Sequence, residues 1–164
     1  MQTNEMDAEL AAGAELLASP GTAHLAYVAQ DGTPRVVPVG FWWTGTQIVV
    51  ATATTAPKVA ALRAAPDVAV TFDAGGTPGA ARSLSVRGRA GITVVDGVVE
   101  EYLAASRKGM SAQEAAQFEQ ACRRLYPRMA RIAITPTWAR YYDFGTGRIP
   151  RFLQELAERG GQGD

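Results

Sequence analysis

Three apolar segments follow one another too closely for helices to fit between them. Residues 23–29, 33–43 and 47–52 are rich in Val, Ile, Tyr, Phe and Trp, and only a few residues separate one from the next. A parallel pair of strands needs a crossover of about a dozen residues or more. The spacing therefore predicts antiparallel strands joined by tight turns. Asp31-Gly32 supplies the first turn and Thr44-Gly45-Thr46 the second, both with the residue types that short hairpin loops demand. No G-x-G-x-x-G follows a strand, so a doubly wound dinucleotide fold has no support.

The rest of the chain surrounds these strands. Residues 7–18 carry Leu10, Ala14 and Leu17 at helical spacing and end at Ser19-Pro20-Gly21. A short helix is expected over 57–64, with Pro57 at a tolerated first-turn position. Pro66 ends it, and residues 68–72 read as a strand. A Gly-rich loop over 74–81 leads into a long strand, 83–95, bent or bulged at Gly88 and Gly91. A helical stretch follows from Asp96-Gly97 through Ser106. Ser111 and Glu114 form a capping box for a helix that reaches about Tyr126. A last long strand over 131–144 contains Pro136, which marks an edge or a bulge. Gly145-Thr146-Gly147 breaks it, and residues 150–159 read as a terminal helix. Six strands with early hairpins predict a mainly β fold, an antiparallel barrel with peripheral helices. No repeat or linker divides residues 1–164, so one domain is expected, with the barrel over about 20–145.

Composition removes several classes of function. Apolar residues make up 47%, charged residues 20%, and sixteen bases balance sixteen acids. That balance points neither to nucleic acid nor to an anionic membrane. The lone Cys122 lies in a helical pattern, which excludes an internal disulfide or a multi-Cys zinc site and suits a small apolar role. His24 is the sole histidine, on a strand between apolar residues. It cannot build a multi-His metal site, and no Ser-His-Asp or Cys-His pairing stands out. No apolar run approaches the ~20 residues that span a bilayer, and the start of the chain lacks a basic, apolar leader. A cytoplasmic location is the expectation.

Chemistry is most legible at Thr52-Ala53-Thr54-Thr55-Ala56-Pro57-Lys58. A strand ends in small hydroxyl residues, and a lysine follows at the start of a helix. Hydroxyls, free backbone N–H groups and one ammonium are what a phosphate monoester needs. Only two of the sixteen bases are lysines, Lys58 and Lys108. Arg35 opens the preceding strand. If strands 33–43 and 47–52 pair as a hairpin, Arg35 and Lys58 converge on one anion. Towards the C-terminus, Tyr142 and Arg148 flank a glycine-containing turn that can reach a planar, anionic ligand. Arg87 and Arg89 alternate with Ser83 and Ser85 and either line a groove or meet solvent. Trp42, Trp43, Trp138, Tyr141 and Tyr142 exceed what one small core uses and favour an interface.

Taken in this order, the residues resemble the pyridoxamine 5'-phosphate oxidase-like flavoproteins, whose fold is an FMN-binding split β-barrel. The resemblance covers roughly residues 8–150. Arg35 stands at the family's strand-opening Arg. Val36, Val37, Pro38 and Val39 stand at the strand beside the flavin ring, Thr52 at the Thr of an aromatic-Thr step, and Lys58 at the clamp Lys. Ser83 replaces a Gln that contacts the flavin. Tyr142 and Arg148 stand at the Trp and Arg of a terminal Trp-x-Gly-x-x-x-Arg-x-His motif. Ala56 and Pro57 replace the clamp's Ser and Arg, with Thr54 and Thr55 nearby, and the terminal His is missing. The resemblance implies FMN, or alternatively the deazaflavin coenzyme F-420, and hydride or electron transfer to an unidentified small substrate rather than vitamin B6 oxidation. A non-enzymatic flavin carrier or sensor is the other class. No side chain is expected as catalytic acid or base, since the cofactor carries the redox chemistry. The resemblance further implies a homodimer with cofactor sites at the interface, Tyr142 and Arg148 reaching in from the partner subunit.

Overall fold

In a computed structural model describing residues 1–160, seven antiparallel strands form one curled sheet with helices around it. Two N-terminal helices, α1 (Thr3–Ala12) and α2 (Ala14–Ala18), precede β1 (Ala23–Val28) and β2 (Pro34–Val39). Then come β3 (Trp42–Trp43), β4 (Ile48–Ala53), α3 (Pro57–Ala64) and β5 (Asp67–Ala74). The second half holds β6 (Arg82–Asp96), α4 (Glu100–Arg107), α5 (Ala112–Leu125), β7 (Arg128–Asp143) and α6 (Arg151–Gly160). The strand order is β2-β1-β5-β6-β7-β4-β3, and every pairing is antiparallel.

The mainly β, helix-flanked architecture is the expected one, with three adjustments. The seventh strand arises because residues 33–43 are not one strand. Pro38 lacks an N–H, and Phe41 turns inward until it is 2% exposed, stacked edge-on against Phe72 at 4.7 Å. The ladder therefore stops at Val39, and β3 restarts on a different partner. The expected hairpin between residues 33–43 and 47–52 is thus reduced to Trp42↔Val49 and Trp43↔Ile48, while β2 pairs with β1. The N-terminal helix begins earlier than its apolar spacing indicates and breaks at Gly13. The helix expected from Asp96-Gly97 begins only at Glu100.

The β6–β7 hairpin is the spine. Its first half pairs with β5 and its second half lies beside β4. The expected bulge falls at Gly88 and not at Gly91: Arg87 faces Trp138 and Gly88 faces Pro136, so Thr137 has no partner. A Cβ at Gly88 would lie 2.6 Å from the Thr135 carbonyl oxygen, and only glycine permits that approach. Inward alternation along β6 buries Leu84, Val86 and Ala90 against Leu25, Val70, Ile132 and Ile134. A second cluster, Val98, Val99, Leu103, Cys122 and Met129, seats α4 and α5 on the far half of the hairpin. Cys122 is buried there, and burial pushes its thiol up, in keeping with a structural role. Among the described residues no helix is long and apolar enough to cross a membrane.

Candidate functional site

The barrel is open along one seam. β2 ends the sheet and pairs only with β1. β4 pairs with β7 from Ile48 to Ala53, but with β3 only at Ile48 and Val49. The second edges of β2 and of residues 50–53 therefore carry no strand, and they flank the point where the chain crosses from β2 to β3. Unpaired edges present backbone donors and acceptors to whatever lies beside them. Val36 on this edge is 63% exposed. The pairing of residues 34–39 with β4, on which the expected convergence of Arg35 and Lys58 depended, does not form: β2 pairs with β1, and β4 with β7 and β3.

The β4–α3 turn lies at the end of this seam. Thr54 and Thr55 are exposed, and Thr52 and Lys58 are half-buried. α3 starts at Pro57 with Ala56 as its N-cap, no side-chain cap bond and no acid in its first turn. Its inward face is Val59, Ala61 and Leu62, so Lys58 is not part of the core. Among the described residues no acid lies within ion-pair distance of Lys58, whereas ten of the fourteen arginines are paired. A helix start with an uncompensated ammonium and flanking hydroxyls suits an anion. With Ala56 and Pro57 the turn offers neither a hydroxyl nor a guanidinium at those two positions.

Arg35 is engaged elsewhere. Its guanidinium pairs with Asp31 at 3.0 Å, donates to the Pro34 carbonyl at 3.1 Å and meets the Thr33 hydroxyl. The Thr33 hydroxyl and amide, with Arg35 behind them, hold the Asp31 carboxyl below its usual range. Gly32 completes this turn at φ +79°. Ser83 is half-buried on β6 between Asp73 and Tyr142.

Tyr142 and Arg148 share a recess of about 490 Å³ with Glu9, Trp138, Arg140 and Arg151. Here Glu9 was not foreseen from sequence. Its carboxylate, 8% exposed, accepts from the Tyr141 amide at 2.7 Å and pairs with Arg148 at 2.8 Å and Arg140 at 3.3 Å. An acid next to Leu10 on an otherwise weakly patterned helix was the available signal. Arg87 is exposed and stacks on Trp138 at 4.4 Å. Arg89 pairs with Asp67 and lines a shallow groove of about 600 Å³ with Arg131, Thr93 and Thr135. Both expected outcomes, groove and solvent, apply. His24 is exposed, 3.5 Å from Asp73. Among the described residues no group of His, Cys, Asp and Glu could hold a metal.

The family model for pyridoxamine 5'-phosphate oxidase matches residues 10–143. The chain belongs to this family. No curated protein matches the sequence. Solved structures do match. A conserved hypothetical protein of Mycobacterium tuberculosis is 19% identical with a TM-score of 0.61, over 92% of this chain and 90% of the other. A structure described as an F420 reductase is 25% identical with a TM-score of 0.56, over 76% of this chain and 93% of the other. The heme storage protein HutZ of Vibrio cholerae is 18% identical with a TM-score of 0.54, over 80% and 92%. The first and third similarities carry the split-barrel fold and nothing more.

Proposed function

We propose that this member of the pyridoxamine 5'-phosphate oxidase family binds FMN at the open seam and works as an oxidoreductase on a small organic substrate. One observation carries the reading: an uncompensated lysine and three threonines lie at the end of the unpaired edge of β4. Lys58, Thr54 and Thr55 would hold the phosphate, with Thr52 beside them. The unpaired edge of β2, Val36 to Val39, would meet the polar rim of the ring through its backbone. Arg35 would add a second cation by turning from Asp31, and Ser83, with Tyr142 of the partner subunit and Arg148 of the partner subunit, would complete the enclosure. The flavin supplies hydride transfer, and this chain's residues bind, orient and exclude water. The family relation supports a homodimer with the site at the interface, and exposed Val36 and the apolar Phe152 and Leu156 on α6 are consistent with one.

The similarity to an F420 reductase favours a second reading, coenzyme F-420 in the same seam. The visible spectrum of the purified protein and equilibrium binding of FMN and of F-420 distinguish the two. An oxidised-flavin spectrum with saturable FMN binding supports the first. Binding of F-420 alone supports the second, and binding of neither refutes both. Turnover with a reductant and a panel of acceptors separates an enzyme from a flavin carrier or sensor.

A further inference from the structure

Lys108, the other lysine, has an environment unlike any arginine in the chain. It follows α4, and its Nζ reaches inward to lie 4.3 Å from the centre of the Phe41 ring and 5.3 Å from that of Trp42. Two long hydrogen bonds of 3.4 Å run to the carbonyls of Leu17 and Phe41, leaving a third N–H without a protein acceptor. Among the described residues no carboxylate lies within 4 Å of it. The adjacent Arg107 takes up Glu119. Burial lowers the Lys108 pKa, the sign of a cation short of a counter-charge.

This ammonium lines a cavity of about 280 Å³ whose other walls are Ala14, Leu17, Ala18, Trp42 and Trp43. Lys108 is the sole charged side chain among these lining residues. We propose that this recess between α2, β3 and the end of α4 binds a small monocarboxylate with an apolar body, the carboxylate on Lys108 and the body against Trp42 and Trp43. One ammonium matches one negative charge; a phosphate would want more donors than the recess offers. The volume falls below the roughly 300–1,000 Å³ of pockets for drug-sized ligands. It suits a one-ring acid and is too small for a flavin. The proposal is independent of the flavin reading, since none of these residues belongs to the seam site.

The rival role for Lys108 is a clamp that caps the last carbonyls of α2. Titration of the 164-residue chain with 3-phenylpropanoate, followed through the indole N–H resonances of the three tryptophans, separates the two. Binding predicts saturable shifts of Trp42 and Trp43 with Trp138 unmoved. It also predicts affinity about ten- to a hundred-fold lower for the neutral 3-phenylpropanamide on the wild-type chain, and a comparable loss for the acid in Lys108→Met. Non-saturating shifts, or equal affinity for acid and amide, overturn the proposal. The acid–amide comparison does so even where Lys108→Met fails to fold.

Discussion

Replacing Lys58 by Ala isolates phosphate binding from everything else in the proposed seam site. The side chain lies outside the Val59, Ala61 and Leu62 face of α3 and has no acidic partner among the described residues. Ala is also the best helix former. Stability should therefore stay within about 0.5 kcal/mol of wild type. Binding should not. A charge-assisted contact contributes about 1.5–3 kcal/mol, which is about a ten- to hundred-fold loss of FMN affinity. Riboflavin shares the ring and lacks the phosphate, so its affinity should be unchanged by the substitution. The assay is flavin fluorescence titration of both ligands against both proteins, with thermal melts alongside. The preference for FMN over riboflavin should collapse in Lys58→Ala. Equal losses for both ligands, or unchanged affinity for both FMN and F-420, would refute the assignment of Lys58 to the phosphate.

Arg35→Lys should weaken FMN binding, because a guanidinium fork binds phosphate in a way that an ammonium cannot. Combined with Lys58→Ala, the two losses should be non-additive if both touch one group, and strictly additive losses in titration would return Arg35 to its Asp31 partner alone. Gly88→Ala should destabilise the fold by about 1–3 kcal/mol, lowering Tm by several degrees, because its Cβ would press on the Thr135 carbonyl oxygen and Ile134; Gly91→Ala, whose nearest contact is 3.8 Å, should be nearly silent in the same melt. Glu101→Gln should cost about 1 kcal/mol at neutral pH, because Arg131 bonds Glu101 at 2.6 and 2.9 Å and holds its carboxyl below the usual range. That contribution is complete above the ordinary glutamate pKa and is lost as pH falls through the depressed one, so urea titrations of wild type and variant should converge in acid. Light scattering at low micromolar concentration should give twice the 17.4 kDa chain mass; a particle of one chain mass would defeat the dimer.

Local chemistry made most of the fold legible. The short gaps between residues 23 and 52 forced antiparallel turns, and Ser111 with Glu114 marked the start of α5, where the capping box is present. Gly88 and Pro136 marked a bulge because each departs from what a ladder accepts, and the two oppose each other in the structure. The break between β2 and β3 was not legible, since residues 33–43 keep strand-forming residues throughout. What ends the ladder is the burial of Phe41 against Phe72, thirty-one residues away in sequence, and no local pattern encodes that contact. The same holds for Glu9, whose partners lie more than 130 residues downstream.

That break also bears on the candidate site. Had residues 33–43 continued as one strand on β4, their edges would have been consumed by each other, and Arg35 would have been fixed beside the β4–α3 turn by the ladder itself. Because the chain leaves the sheet at Gly40 and re-enters at Trp42, both edges stay unpaired. The seam therefore trades backbone hydrogen bonds within the barrel for a line of donors and acceptors facing outward. A folded protein leaves such edges open at a cost in aggregation risk, and covering them with a ligand or a second chain removes it. Lys58 and the threonines give that opening a charge preference at one end. An anion-tailed, hydrogen-bonding planar group satisfies both features together, whereas a second chain alone would satisfy the edge and leave Lys58 uncompensated.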